Sequence, residues 1–395
     1  MIDKIEKVAI IGAGTMGSDI ALLFAIHNYD VVVCDISQDV LDNLFEKLRI
    51  TLDQLYKRKI AKKYYKLLKK KITFTTEIEE VKDVDFVHEN IDEKLEEKRK
   101  IFQKLGQQLP DVVLATDTSS LKVSDIAEGL QASDRIVLMH YSNPPITSDL
   151  AEIMKGKDTS EEILRIVTEL AKNIGRTPVI VGKDMNGAVM NRVLSTINNE
   201  GLWALQNDEG TKEEIDAAFY RIGNFNLGLT GTIDLVGIDI ALDVGINLAR
   251  AYGKRFGPPI RLVVNKVKEG RLGKKTGLGF NDWSKGNPIV DKNVRGKYDE
   301  NRILAVAANE IFWMLEDEIS DIKEIDQILK LGFRLDQGLC EKIDSIGLDK
   351  LFNILNELHS KYKLDLYKPC SFFEDYIKKG WTGKKSGKGF YTYPL

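Results

Sequence analysis

The sequence predicts a parallel-sheet α/β domain followed by two tandem all-α domains. Three observations carry that prediction. A short apolar strand runs straight into a glycine-rich turn and a helix at the start of the chain, apolar runs alternate with helical stretches through the first half, and the second half repeats itself at an offset of 110 residues.

Lys7–Ile11 is a β-branched run, and Gly12-Ala13-Gly14-Thr15-Met16-Gly17 follows at once. Ser18–Ile26 has helical composition, Val31–Cys34 reads as a second strand, and Asp35 closes it. Strand, G-x-G-x-x-G, helix, strand and acid, in that order, make the dinucleotide-binding pattern of a Rossmann domain. Gly12 permits the tight turn, Gly14 lets a pyrophosphate reach the backbone, and Gly17 lets helix and strand pack closely. Thr15 and Met16 complete the turn, and the helix N-terminus offers N–H donors to the phosphates. Asp35 stands 18 residues after Gly17, placed to accept hydrogen bonds from the adenine-ribose hydroxyls. A carboxylate there repels a 2′-phosphate, so NAD is the expected cofactor rather than NADP. The alternative is a strand–turn–helix unit for another nucleotide, or for none. Further strands are read at Val84–Val87, Val112–Ala115, Ile136–Met139 and Pro178–Val181, which implies a doubly wound, mainly parallel sheet.

Between the second strand and Val84 lies a helical insert, Tyr56–Ile72, with nine basic residues and no acid. It reads either as a solvated helical face or as an arm for an anionic substrate. Coenzyme A, with a 3′-phosphate and a pyrophosphate, would suit such an arm, and Lys59, Lys62 and Lys63 are its candidate contacts.

After Lys183 long helical patterns take over. At the offset of 110, Asn191-Arg192-Val193-Leu194 meets Asn301-Arg302-Ile303-Leu304, and Glu214-Ile215-Asp216 meets Glu324-Ile325-Asp326. Gly273-Lys274-Lys275-Thr276-Gly277 likewise meets Gly383-Lys384-Lys385-Ser386-Gly387. The expected domains are therefore residues 1–184 for the nucleotide, 185–290 for the first helical copy and 296–395 for the second, with Ser284–Gly296 as linker.

Composition narrows the function classes. The chain has 395 residues, 57 Lys+Arg against 60 Asp+Glu and a net charge of −3, which argues against a general nucleic-acid binder. No apolar run has the length of a membrane span, and Met1–Lys7 carries no signal-peptide pattern. Cys34, Cys340 and Cys370 are odd in number and lack metal-ligand spacing. They read as free thiols of a reducing compartment, so a cytoplasmic protein without a metal is expected.

Three clusters hold the residues for chemistry. Asp117-Thr118-Ser119-Ser120 follows one strand. His140-Tyr141-Ser142-Asn143-Pro144 follows another, with Glu152 twelve residues after His140, and Asn191-Arg192 opens the first helical copy. The first two occupy C-terminal ends of strands, where open α/β sheets bind ligands. Each has a plain structural account on its own: a turn or cap for the serines, a packed histidine, an asparagine bridging helices.

Taken as an ordered set, these motifs closely resemble the L-3-hydroxyacyl-CoA dehydrogenase family over nearly the whole chain. The set is Gly-Ala-Gly-Thr-Met-Gly, the acidic turn Glu89-Asn90-Ile91-Asp92-Glu93, Thr-Ser-Ser, His-x-x-Asn-Pro with its later Glu, Asn-Arg, and Gly-Lys-Lys-Thr-Gly-x-Gly-Phe. The resemblance implies catalytic roles for Ser119, His140, Glu152 and Asn191. It also implies contacts to NAD from Met16, Asp35, Glu93, Lys98, Ser119, Asn143 and Lys275. Three positions depart from the family pattern: Asn186 and Leu229 stand where prolines are usual, and Asp117 where asparagine is usual. The doubled helical part resembles the dehydrogenase portion of fatty-acid oxidation multifunctional enzymes, without a hydratase-like domain.

The chemistry agrees. Oxidising a secondary alcohol requires removal of a hydride from carbon and a proton from oxygen. His140, expected near half-titration at neutral pH, would take the proton, and Glu152 would hold the other ring nitrogen. Ser119 and Asn191 would bind substrate oxygens, with the site expected at the domain junction. The expected activity is NAD-dependent oxidation of (S)-3-hydroxyacyl-CoA, with 3-hydroxybutyryl-CoA as a candidate substrate. The alternatives are a free hydroxy-acid dehydrogenase of the gulonate dehydrogenase/lambda-crystallin kind and a non-catalytic NAD- or CoA-binding subunit. The second helical copy is expected to pack on the first as an intrachain pseudo-dimer, with further homo-oligomerisation left open.

Overall fold

Among the described residues, eight strands form one sheet in the order β3-β2-β1-β4-β5-β6-β7-β8. They are β1 (Lys7–Ile11), β2 (Asp30–Cys34), β3 (Ile72–Thr75), β4 (Phe86–Glu89), β5 (Val113–Thr116), β6 (Ile136–Tyr141), β7 (Leu150–Lys155) and β8 (Thr177–Val181). All neighbouring pairs are parallel except β6 and β7. The chain leaves β1 for β2 on one side and later returns to β4 on the other. The β1–β4 boundary is thus the topological switch point at which such sheets bind nucleotides. This is a computed structural model; it describes residues 5–223, 225–257 and 260–394, and it divides into two compact units, Met1–Met185 and Asn186–Leu395.

Within the first unit the central strands β1, β4, β5 and β6 are buried along nearly their whole length, as parallel sheets covered on both faces require. The helix Thr15–Ile26 follows the glycine turn and buries Ile20 to Ala25 against the sheet. The basic segment is the helix Arg58–Lys71, which buries Ala61 and Leu68 and leaves Lys59, Lys62 and Lys63 exposed. It ends at Ile72, where the chain enters β3 at the sheet edge.

Two strands are absent from the sequence reading. β3 hides behind the lysine run. β7 carries Glu152 and Lys155, yet Leu150 to Met154 are buried. It pairs antiparallel with β6 in a register that sets His140 directly opposite Glu152.

Among its described residues the second unit holds two sets of five helices whose bounds track the offset of 110. The first set is Val189–Gln206, Lys212–Ile222, Gly228–Val236, Ile238–Tyr252 and Arg261–Lys268. The second is Asn301–Glu316, Ile322–Gly332, Leu339–Ile346, Leu348–Tyr362 and Ser371–Lys378. The repeated Gly-Lys-Lys motif explains itself structurally. The buried Asp234 carboxylate accepts from the Phe280 and Asn281 N–H groups at 2.8 and 2.7 Å and from the Trp283 indole at 3.1 Å. Asp344 does the same for Phe390 and Tyr391, both at 3.0 Å. Each copy thus seals its end onto a buried aspartate.

Candidate active site

The glycine turn is built for close approach. Gly12 has φ +92°, and a Cβ there would lie 2.7 Å from the Asn90 carbonyl oxygen; a Cβ on Gly17 would collide with the Gly12 oxygen. Gly14 faces open space and is exposed, as a site for a pyrophosphate needs. Asp35 closes β2 with both oxygens held: one accepts from the Ala13 N–H at 2.7 Å, the other from the Ser37 N–H at 2.9 Å. Its carboxylate is therefore fixed beside the turn. These residues fit a dinucleotide whose ribose meets Asp35 and whose phosphates lie over Gly14.

Beyond β4 a buried acid–base network supports the next loop. Lys98 is 1% exposed. Its ammonium donates to Glu89 at 2.6 Å and lies 3.5 Å from Glu93. Glu89 also accepts from Thr116 Oγ1 and the Ile91 N–H, both at 2.7 Å. One Glu93 oxygen accepts from the Thr118 hydroxyl at 2.6 Å, the Ser119 N–H at 2.8 Å, the Ser120 N–H at 2.6 Å and the Ser120 hydroxyl at 2.8 Å. Burial alone would raise the Glu93 carboxyl. The Lys98 charge and the hydroxyl donors outweigh burial and hold it below its ordinary value. Glu93 thereby pins the loop that presents Ser119. The resemblance puts Lys98 against NAD; its ammonium faces the two glutamates.

Asp117, the departure from asparagine, is buried beside this network. Its carboxyl accepts from the Tyr141 N–H at 3.2 Å, and burial pushes it well above the usual carboxylate range.

His140 and Glu152 are 3% and 0% exposed, and His140 Nδ1 lies 3.9 Å from a Glu152 oxygen. Directly opposed residues of antiparallel strands project from the same face, so the twelve-residue spacing is the arithmetic of a hairpin. Burial pushes the imidazole down to about 4, with the Glu93 charge opposing. This corrects the expectation of half-titration: at neutral pH His140 is a neutral base. Ser119 follows β5, His140 stands at the end of β6, Asn143 follows β6, and the glycine turn, Asp35 and Glu93 follow β1, β2 and β4. These strands all run parallel, so their C-terminal ends share one edge of the sheet.

In the second unit Asn191 lies in the first turn of Val189–Gln206 and is half-buried. Its counterpart Asn301 is committed locally: its side-chain amide donates to Asp299 at 2.7 Å, as its backbone N–H does at 2.9 Å. Lys275 pairs with Asp239 at 2.6 Å, and Lys385 pairs with Asp349 at the same distance in the other copy. The same lysine–aspartate pair thus recurs in both copies. Among the described residues no cluster of three or more His, Cys, Asp or Glu could hold a metal, and no helix is long and apolar enough to cross a membrane.

The NAD-binding domain of 3-hydroxyacyl-CoA dehydrogenase matches residues 7–185, and the C-terminal domain of the same family matches twice, over 187–283 and 300–393. This chain belongs to the 3-hydroxyacyl-CoA dehydrogenase family. It is an NAD-dependent oxidoreductase with an α/β domain and a helical region in which the family's C-terminal domain is doubled. A 3-hydroxybutyryl-CoA dehydrogenase of Clostridioides difficile is 33% identical over 281 residues, covering 71% of this dehydrogenase and all of the relative. The fatty acid oxidation complex subunit alpha of Vibrio campbellii is 31% identical over 387 residues, 93% of this chain and 54% of that protein. The crystal structure of a 3-hydroxybutyryl-CoA dehydrogenase from Escherichia coli K12 shares the fold at a TM-score of 0.80 and 23% identity, over 96% of this chain and 100% of that one.

Proposed function

We propose that the dehydrogenase interconverts (S)-3-hydroxyacyl-CoA and 3-ketoacyl-CoA, with 3-hydroxybutyryl-CoA and acetoacetyl-CoA as its short-chain pair. The observation that carries the reading is His140 set opposite Glu152 at the ligand edge of the sheet, on the strand next to the one that leads into the Ser119 loop. His140 takes the hydroxyl proton through Nε2, since Nδ1 faces Glu152. Burial keeps the imidazole neutral beforehand, and the Glu152 carboxylate steadies the imidazolium that follows. Ser119 and Asn191 hydrogen-bond substrate oxygens and hold the reacting carbon in place. Bound NAD supplies the hydride acceptor. Gly12, Gly14, Thr15, Met16 and Gly17 receive it, together with Asp35, Glu93, Ser119 and Asn143. The exposed Lys59, Lys62 and Lys63 are proposed for the phosphates of coenzyme A.

The proposed domains are 1–184, 185–290 and 296–395, with one active site per chain. The helical copies form an intrachain pseudo-dimer, a reading supported by the buried ion pairs Arg192–Glu310 and Arg302–Glu200, each running from one copy to the other. Three free, buried cysteines support a cytoplasmic setting.

Following NADH absorbance with acetoacetyl-CoA and longer 3-ketoacyl-CoAs tests the reading. Oxidation of NADH by the thioesters, fastest with the shortest, is the expected result. Turnover of free 3-keto acids with none of the thioesters would sink it.

Cofactor choice gives a second test. Asp35 is fixed by two backbone donors, so its carboxyl group is held where a 2′-phosphate would sit. NAD should exceed NADP in kcat/KM, and Asp35→Ser should narrow the gap by weakening NAD and admitting NADP. A wild-type enzyme that prefers NADP would show that Asp35 does not read the ribose.

A further inference from the structure

Arg192 is wholly buried beside Asn191, and a buried guanidinium needs a countercharge. The partner is Glu310, on the first helix of the second copy. Arg192 Nε donates to Glu310 Oε1 at 2.8 Å, and a terminal nitrogen donates to the same oxygen. The other terminal nitrogen reaches Tyr252 Oη at 3.4 Å, and the guanidinium stacks on that ring at 4.3 Å from its centre. The Tyr252 hydroxyl donates in turn to the Asn186 carbonyl at 2.8 Å. Arg255 lies 3.6 Å from Glu310 and stacks on Tyr252 and on Trp313 of the second copy. The segment that carries Asn191 is therefore gripped on both sides, at Asn186 before it and Arg192 after it, and the grip is anchored in the other copy.

A matched arrangement stands 110 residues away. Arg302 pairs with Glu200 at 2.6 Å, and Glu200 also accepts from Tyr298 at 3.2 Å and from Tyr367. The asparagine beside Arg302, however, is turned onto Asp299. The two ion pairs have the same chemistry and differ in their neighbour: one adjoins Asn191, the other an asparagine bonded to Asp299.

We infer that Glu310 is a positioning residue for catalysis: through Arg192 and Tyr252 the second copy holds Asn191 of the first in its working place. This rests on the catalytic reading of Asn191. A displacement of about 1 Å in a positioned group costs on the order of 10²-fold in rate.

The test compares Glu310→Gln with Glu200→Gln in the full-length enzyme, by steady-state kinetics and thermal unfolding. Glu310→Gln should lose about 10- to 100-fold in kcat with KM for NADH unchanged, whereas Glu200→Gln should stay within about twofold of wild type in kcat, and the two variants should lower the unfolding midpoint alike. Equal kcat losses in the two variants would reduce both pairs to scaffolding and overturn the inference, as would a wild-type kcat in Glu310→Gln. Should a lone charge left by either variant prevent folding, the pairwise replacements Arg192→Met with Glu310→Leu, and Arg302→Met with Glu200→Leu, remove both charges together. The same split in kcat is then expected, and its absence overturns the inference. Asn191→Ala separates the two claims: full activity there would sink the reading of Asn191 itself, and with it the role of Glu310, whereas a loss there with no split between the glutamates would sink the role of Glu310 alone.

Discussion

Replacing His140 by alanine is expected to lower kcat by about 10²- to 10⁴-fold, the usual worth of a positioned general base, with NADH binding near wild type. The reason is geometric first. The imidazole is buried at the end of β6, opposite Glu152, and no other histidine lies at that edge with a carboxylate across the ladder. His88, also buried, faces the Met139 carbonyl at 2.9 Å and Asn90 at 3.2 Å, so it is engaged within the sheet. The protonation state follows from burial. With the His140 imidazole pushed down to about 4, the base is neutral across the physiological range. In the direction of alcohol oxidation, kcat/KM should therefore stay level from pH 8 to about 6 and fall only under more acid conditions, because that parameter reports groups of the free enzyme. A His140→Ala enzyme with more than half the wild-type kcat would remove the residue from the mechanism. An acid limb centred near 6.5 that disappears in the variant would show that the ring titrates as it does in water, against the burial argument.

The second large effect separates two asparagines that the sequence presents as equals. Asn191→Ala should cost about 10²- to 10³-fold in kcat, the scale measured when one donor to a developing oxyanion is removed. Asn301→Ala should leave kcat near wild type and remove only a local hydrogen bond to Asp299, worth about 1 kcal/mol of stability. Kinetics on acetoacetyl-CoA and a thermal melt of each variant decide the matter. Equal loss from both would mean that both copies serve the reaction.

Much of this was legible in the sequence because it rests on local rules. The glycine turn, its strand and its helix are set by sterics within a few residues. The repeat announces itself because Asp234 and Asp344 each need the same glycines and backbone donors around them. Strand β4 was read two residues early because Glu89 looks like a strand's polar end. It is buried instead, since Lys98, nine residues later, turns back from a helix to neutralise it. Strand β7 was missed for a related reason: Glu152 and Lys155 break its apolar run, and only the pairing with β6 shows why a glutamate belongs there. The Ser119 loop hangs on Glu93 through four donors, a fact carried by tertiary geometry and by no spacing. The grip on Arg192 was equally hidden, because its partner stands 118 residues away.

Having both copies in one chain also changes what a mutation does. In a symmetric homodimer every substitution appears on both sides of the interface at once, so the surface must remain complementary to itself. Here a substitution falls on one side alone. The environments of the two buried glutamates differ: Glu310 faces Arg255, whereas Glu200 accepts from the Tyr298 and Tyr367 hydroxyls. The Arg–Glu pairs are common to both copies while some of their neighbours differ: at the offset of 110, Arg255 meets Asp365 and Tyr367 meets Gly257, so each half of the duplicated surface can change by itself.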